Sequence, residues 1–398
     1  MIAAFRLFFR EWLYLLKRPR TLIIMILIPI FATCICGISF ENGSFSHLKM
    51  GVVDYSYSAK TREVVEAFQQ SSFFDVVGYY ENEDQVETAM KDGEIVGCII
   101  FPADFTQNLL QGRQAEVLLG SSAVNMGYGS TINLRGAEIL GTISAQTAVK
   151  GLVAKGYTVN DALAKMNPVG YSIRQWYNPT NNFGYFLTFG FVIATVQQVL
   201  IYFAAISLAR EKESDKLGEI KKVNPIFQVI IKTLVYYIIS MGTWAACSWL
   251  MVNKFAIPMR GSFDVWFGYS SLFLLAVIAM GQLFSAIMPN PVFATSLSLV
   301  FTSPSLVLSG FTWPTMSFTS FYQKLAQVFP LTHFVIGYRD VAFMGCGFEA
   351  IHDEMMILGC ISGGCLILSC LVWLIKVKHF EKKQQAIPEE TEIQAMGR

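Results

Sequence analysis

His352-Asp353-Glu354 is the one point in the 398-residue chain where an imidazole and two carboxylates stand side by side. The chemistry open to such a trio is metal ligation or general acid–base work. It borders a long apolar run, however, where a solvated loop is the better reading. The other histidines, His47, His333 and His379, are scattered, so a metal site would have to draw most of its ligands from Asp and Glu. No GxxxxGK[ST] phosphate loop, HExxH pair or GxSxG elbow occurs. No catalytic residue, metal ligand or self-bound cofactor is assigned, and the chain is not expected to hydrolyse a nucleotide by itself. The densest run of charge is Arg210-Glu-Lys-Glu-Ser-Asp-Lys-Leu-Gly-Glu-Ile-Lys-Lys-Val-Asn-Pro225. Its alternating signs suit a short helix at a membrane surface offering side chains to another protein, although on charge alone a solvated linker fits better.

Something must hold that run in place, and composition identifies it. Hydrophobic residues make up 53% of the chain and Asp, Glu, Lys and Arg 15%, whereas a soluble domain carries about 25% charge. The deficit lies in six runs, 21–40, 183–209, 226–252, 265–288, 291–312 and 355–375, each long enough to cross a bilayer as a helix. Pro29 and Pro304 mark expected kinks. The only charge in the six runs is Lys232, which reads as a side chain snorkelling to the nearby interface. With the N-terminus inside, the pieces 1–20, 210–225, 289–290 and 376–398 carry 15 Lys and Arg, against four in the outer loops 253–264 and 313–354. That bias places both termini in the cytoplasm. A net charge of +1 with no basic stripe excludes a nucleic-acid binder as a default.

Residues 1–20 predict an amphipathic interfacial helix, with Phe5, Phe8, Phe9, Trp12, Leu13, Leu15 and Leu16 toward its apolar side and Arg6, Arg10, Glu11, Lys17 and Arg18 on the remainder. An irregular basic arm is the other reading. The run 21–40 is too long for a signal-peptide core and lacks a small-x-small site, so it is read as the first transmembrane helix. Residues 41–180 alternate strand pattern (49–54, 73–80, 94–101, 116–119) with helix pattern (59–70, 84–91, 104–111, 131–165). This implies βαβ crossovers and a small, mostly parallel sheet. Its one histidine, His47, and one cysteine, Cys98, exclude a metal cluster or a disulfide within it, and Cys98 is expected in the core. Cys34, Cys36, Cys247, Cys360, Cys365 and Cys370 fall in the spans; Cys346 is the other cysteine placed outside. The fold class expected is a polytopic α-helical membrane protein of six transmembrane helices with an inserted extracytoplasmic α/β domain. Spans two to six occupy 181–376, with the charged loop at 210–225, and residues 377–398 form a cytoplasmic tail.

At the charged loop the chain resembles the type-2 ABC transporter permeases. Arg210, Glu211, Glu213, Glu219 and Pro225 match the family's coupling loop in kind, with Asp215-Lys216 where the family has Gly-Thr and Gly218 two residues later. Leu308-Ser-Gly-Phe-Thr-Trp-Pro314, then Phe329-Pro-Leu-Thr-His333 and Gly337-Tyr-Arg339, are similar to its outer signature. The signature residues are Ser309, Gly310, Phe311, Trp313, Pro314, Pro330, His333 and Arg339, in an outer segment, 313–354, whose short helices would re-enter the membrane. The Ile-Ile-Phe-Pro-Ala-Asp-Phe step at 99–105 and Gln-Gly-Arg-Gln-Ala-Glu-Val at 111–117 resemble the family's inserted module.

The resemblance implies an export permease for an amphipathic, drug-like or lipid-like molecule in a bacterial inner membrane. Separate cytoplasmic ABC ATPase subunits, carrying ATP and Mg, would drive it through Arg210, Glu211, Glu213, Gly218, Glu219 and Pro225, with Arg6 and Arg10 on the interfacial helix. It also implies a second permease copy, a homodimer, and export toward a periplasmic adaptor and outer-membrane channel, with membrane lipids around the spans. Spans two and five would line the pathway. Phe189, Gln197, Gln198, Thr302, Ser303 and Ser305 are candidate lining residues; interhelical hydrogen bonding is the competing reading for the five polar ones, and lipid-facing packing serves equally well for Phe189. Phe186, Phe301 and Phe311 are aromatic candidates for which lipid-facing packing serves equally well. The alternative function is a membrane-anchored interaction or sensory protein whose outer domain binds a partner.

Overall fold

The computed structural model describes residues 2–40, 45–111, 113–122, 124–166, 176–178, 182–213 and 223–396. They fall into two compact units, Met1–Glu41 with Phe183–Arg398, and Asn42–Asn182. The chain opens with α1 (Ile2–Leu16) and α2 (Pro19–Ser39). Pro19 stands at the start of α2, where its missing N–H has no intrahelical partner to lose.

The inserted unit follows. β1 (Leu48–Asp54), α3 (Ala59–Gln69), β2 (Phe74–Tyr80), α4 (Glu83–Lys91), β3 (Gly97–Phe101), α5 (Phe105–Leu110) and β4 (Leu118–Ser121) lead into α6 (Met126–Ala154) and α7 (Val159–Met166). The sheet order is β2-β1-β3-β4; β1 pairs in parallel with β2 and β3, and β4 is an antiparallel edge. The central strands β3 and, but for Lys49 and Asp54, β1 are buried on both faces, as crossover helices require, while the outer strands β2 and β4 are partly exposed. Met50, Val52, Ile99 and Phe101 pack with Val64, Phe68 and Ile132, while Val53, Cys98 and Ile100 pack with Val86 and Ala89 of α4. The single helix expected over 131–165 is instead two. Gly156 takes φ +93, which a residue with a side chain rarely adopts, and Thr158 accepts from the Asp161 N–H to start α7.

The first unit resumes with α8 (Phe183–Glu213), α9 (Pro225–Asn253), α10 (Phe263–Ile287) and α11 (Pro291–Leu308). A 3₁₀ turn (Thr315–Ser317), α12 (Ser320–Ala326), α13 (Pro330–Arg339) and a π turn (Asp340–Met344) precede α14 (His352–Met396). Asn224 and Asn290 cap α9 and α11 from their side chains, each followed by a proline at the first helical position. Pro29 and Pro304 are carried inside continuous helices. Among the described residues, six helices are long and apolar enough to cross a membrane: α2, α8, α9, α10, α11 and the His352–His379 part of α14. The protein is thus a polytopic helical membrane protein with a small inserted sheet. α8 and α10 are the most buried spans. They meet at Gly281, where a Cβ would lie 2.6 Å from Ala204 Cβ and 2.8 Å from the Ile201 carbonyl oxygen. α13 is nearly wholly buried: Phe334 stacks on Phe273 at 4.1 Å, and the Tyr269 hydroxyl donates to the His333 carbonyl at 2.6 Å. All eight cysteines are free thiols.

Candidate functional site

The docking face of α1 consists of Leu7, Glu11 and Leu15, residues one turn apart and all buried; Phe5, Phe9, Leu13 and Leu16 are exposed on the rest of the helix. A carboxylate is thereby carried into the bundle. α8 supplies Arg210 and Glu211 beside it. α9, two turns from its start, supplies Lys232, which is fully buried. Lys232 Nζ donates to Glu11 Oε1 and to Glu211 Oε1, both at 2.7 Å. Arg10 Nη2 donates to the same two oxygens at 3.1 Å each, and Arg210 donates to Glu11 Oε2. Three cations thus share two carboxylates across three helices that are remote in sequence. Lys232 does not snorkel: α1 and α8 pack over it and present carboxylates. A buried lysine with paired hydrogen-bonded partners needs no route to water, whereas an unpaired one would be prohibitively costly.

Aromatic rings complete the cluster. The Arg210 guanidinium lies 3.7 Å from the Tyr14 ring centroid, Arg18 lies 4.6 Å from the same ring, and Tyr236, one turn beyond Lys232, is buried as well. Burial alone would raise the Glu11 carboxyl, but Lys232, Arg210 and Arg10 outweigh it and hold its pKa down at about 2. An unfolded glutamate titrates near 4.3. Because the folded value is the lower one, this carboxylate stabilises the fold fully above about pH 4.3; the contribution shrinks as pH falls and is gone below about pH 2. We expect the stability difference between the wild type and Glu11→Gln to be constant from pH 7 to about 5 and to narrow steadily below about 4.3. Thermal denaturation at stepped pH measures it, and a gap unchanged down to pH 3 would contradict the assignment.

The same end of the bundle is tied together by further polar contacts. Ser285 Oγ of α10 accepts from the Leu208 and Ala209 N–H groups of α8 at 2.9 and 2.7 Å. Lys212 Nζ donates to the Ser285, Ala286 and Met288 carbonyls, and Lys376 to that of Ile287, so two lysines cap the C-terminus of α10 where its dipole is negative. Gln282 accepts from Thr233 at 2.8 Å, and Gln228 accepts from Trp373 Nε1 at 2.8 Å. The α8 terminus is thereby bonded to α1, α9 and α10, and α9 and α10 in turn to α14.

Of the residues expected to couple, the structure brings together Arg10, Arg210 and Glu211. Arg6 is exposed on α1, Glu213 is the last residue of α8, and Pro225 begins α9. Gly218 and Glu219 lie outside the described residues. Glu11 and Lys232 are cluster members that reading the sequence piece by piece missed. A signal for both existed: Glu11 is the sole acidic residue among the first 40, and Lys232 the sole charge in the spans.

The 309–339 motif forms a clasp. Ser309 caps the end of α11, and its Oγ accepts from the Phe311 N–H. Gly310 takes φ +76, and its carbonyl accepts from Arg339. Phe311 is buried against Gly190 of α8, where a Cβ would fall 1.9 Å from its ring. Arg339 sits over Phe186, itself stacked on Phe311 at 5.2 Å. Pro330 begins α13 and His333 Nε2 contacts the Gln327 carbonyl at 3.0 Å, while Trp313 and Pro314 are exposed.

Among the pathway candidates, Gln197 Nε2 donates to Ser305 Oγ at 2.9 Å between α8 and α11, and Gln197 Oε1 has no partner among the described residues. Thr302 is buried and bonds back to the Ser298 carbonyl; Ser303 is exposed and Gln198 half-buried. Phe189 is packed against Tyr338 and Phe343. His352 and Asp353 are exposed at the start of α14, where acidic residues suit the helix dipole, and no metal-binding group occurs among the described residues.

The family model described as ABC-2 family transporter protein matches residues 19–375. The chain is 23% identical to the probable multidrug ABC transporter permease YbhS of Escherichia coli K12 over 345 residues, 84% of this chain and 87% of the relative. It is 23% identical to the probable multidrug ABC transporter permease YbhR of the same strain over 335 residues, 82% and 85% of the two chains. With that strain's inner membrane transport permease YhhJ the identity is 21% over 332 residues, 83% and 86%.

Proposed function

The chain belongs to the ABC-2 transporter family and is a non-catalytic permease subunit in the inner membrane, and from that premise we propose that it is the export channel of a complex driven by separate ATPase subunits. The charge cluster of Arg10, Glu11, Arg210, Glu211 and Lys232 is the observation that carries this reading. In it the last turn of α8 and the interfacial helix α1 are joined by short charge-assisted bonds rather than by apolar packing alone. Closure of ATP-loaded ATPases against the 210–225 loop would push on the end of α8. The cluster passes that push to α1 and α9, and the lysine-capped end of α10 passes it to α14. An anchor for an outer binding domain has no use for such a linkage.

The excess of Lys and Arg in the short loops at this end supports its being cytoplasmic, with Asn42–Asn182 outside. Along α11, Val292, Ser296, Leu299, Val300, Ser303 and Val307 form one exposed stripe. A second copy of the permease would face that stripe, enclosing a pathway of mixed apolar and small polar groups suited to an amphipathic cargo. The multidrug description of the two relatives supports that cargo class. The test is transport of an amphipathic dye by the chain reconstituted in vesicles. Transport is expected only when the ATPase subunits and ATP are supplied, and dye movement in their absence would overturn the reading.

A further inference from the structure

Beside the charge cluster lies a cavity of about 810 Å³, walled by α1, the turn to α2, the end of α8 and Pro291. Four of its lining side chains are cations: Arg10, Lys17, Arg18 and Arg210. Its two carboxylates, Glu11 and Glu211, are already engaged by Lys232, Arg10 and Arg210. Lys17 and Arg18 have no carboxylate partner among the described residues. Cavity and cluster together hold three more positive charges than negative ones, so the site lacks an anion.

The remaining features say which anion. Arg18 and Arg210 are both held over the Tyr14 ring, which orients two planar guanidinium forks before any ligand arrives. Such forks suit the paired oxygens of a phosphate. Leu13 lines the cavity and continues the exposed apolar stripe of Phe5, Phe9 and Leu16 on α1. That stripe is the face an interfacial helix turns toward acyl chains. A small ion would leave most of the volume empty and take nothing from the stripe.

We propose that this cavity binds the phosphate headgroup of an anionic glycerophospholipid, whose acyl chains lie along the apolar stripe of α1, so that a bilayer lipid completes the charge balance where α1 meets α8. The bound lipid would clamp Lys17 and Arg18 to the cluster and fix the angle at which α2 leaves α1. This assignment stands on the cavity and does not depend on the identity of the cargo.

Native mass spectrometry of the full-length chain released from detergent tests it, with phosphatidylglycerol and phosphatidylcholine of matched acyl chains as probes. Phosphatidylglycerol is expected to be retained as a one-to-one adduct far more than phosphatidylcholine. Arg18→Gln and Lys17→Gln are each expected to weaken that retention about fivefold, the effect of one cation near an anionic surface. Arg20→Gln removes the same charge outside the cavity and is expected to change it less than about twofold. Equal retention of the two lipids by the wild type would overturn the proposal without recourse to any variant. Equal losses in Arg18→Gln and Arg20→Gln would overturn it in favour of diffuse attraction. Displacement of the lipid by millimolar inorganic phosphate or glycerol phosphate would overturn it in favour of a small-anion site.

Discussion

Lys232→Met is expected to cost about 3–5 kcal/mol, the loss typical of breaking a buried ion pair by removing one partner. The methionine fills nearly the same space and is at home in an apolar helix, so the effect is electrostatic rather than steric. Glu11 Oε1 and Glu211 Oε1 each lose a 2.7 Å donor while remaining buried, and are left with the longer 3.1 Å bonds that both share from the partly exposed Arg10. In a protein whose whole stability is about 5–15 kcal/mol, that loss appears as a large fall in the thermal midpoint of the purified chain. Glu11→Gln in the Lys232→Met background removes one of the stranded charges. The double variant is therefore expected to recover stability, with a coupling of about 1–3 kcal/mol in the double-mutant cycle. A Lys232→Met protein within about 0.5 kcal/mol of wild type would return Lys232 to the snorkelling role.

Gly281→Leu is expected to be the most damaging change in the apolar core, about 3 kcal/mol or more, at the upper end of overpacking costs. The atoms that a Cβ would meet, the Ile201 oxygen and the Ala205 nitrogen, are backbone and cannot rotate aside, so α8 and α10 must separate. Separation here also pulls on contacts one turn away, Ser285 to the Leu208 and Ala209 amides and Lys212 to the α10 carbonyls. Both the thermal midpoint and transport are therefore expected to fall, with Gly281→Ala intermediate. Gly242→Ala on α9 meets nothing within 4 Å and serves as the matched control, expected to be neutral or slightly stabilising. If the two alanine variants behaved alike, close approach at Gly281 would not be what holds the two helices.

The six spans and the βαβ order of the inserted unit are legible in the sequence because hydropathy and periodicity are local properties. Charge expelled from runs of about 20 residues, or apolar residues recurring at a fixed step, needs no knowledge of the partner. Even there a single glycine mattered: Gly156, at φ +93, divides a helix that pattern alone would run through. The charge cluster is different in kind. Glu11 and Arg210 are some two hundred positions apart, and each is ordinary by itself, an acid on an amphipathic helix and a cation at a membrane boundary. Only the docking of α1 through Leu7 and Leu15 makes them neighbours, and docking register is set by tertiary packing. The same holds for Gly190, whose absent side chain makes room for Phe311 more than a hundred residues later.

The central claim, that the end of α8 passes force through the charge cluster, is tested most directly by Glu211→Gln in vesicles containing the chain and its ATPase subunits, with ATP hydrolysis and transport measured side by side. The amide keeps the shape of the carboxylate but gives up the charge that Lys232 and Arg10 hold. We predict an intact complex that hydrolyses ATP at near the wild-type rate while transport per ATP falls about tenfold, a loss within the usual range of coupling energies. An unchanged ratio of transport to hydrolysis in that variant would contradict the account.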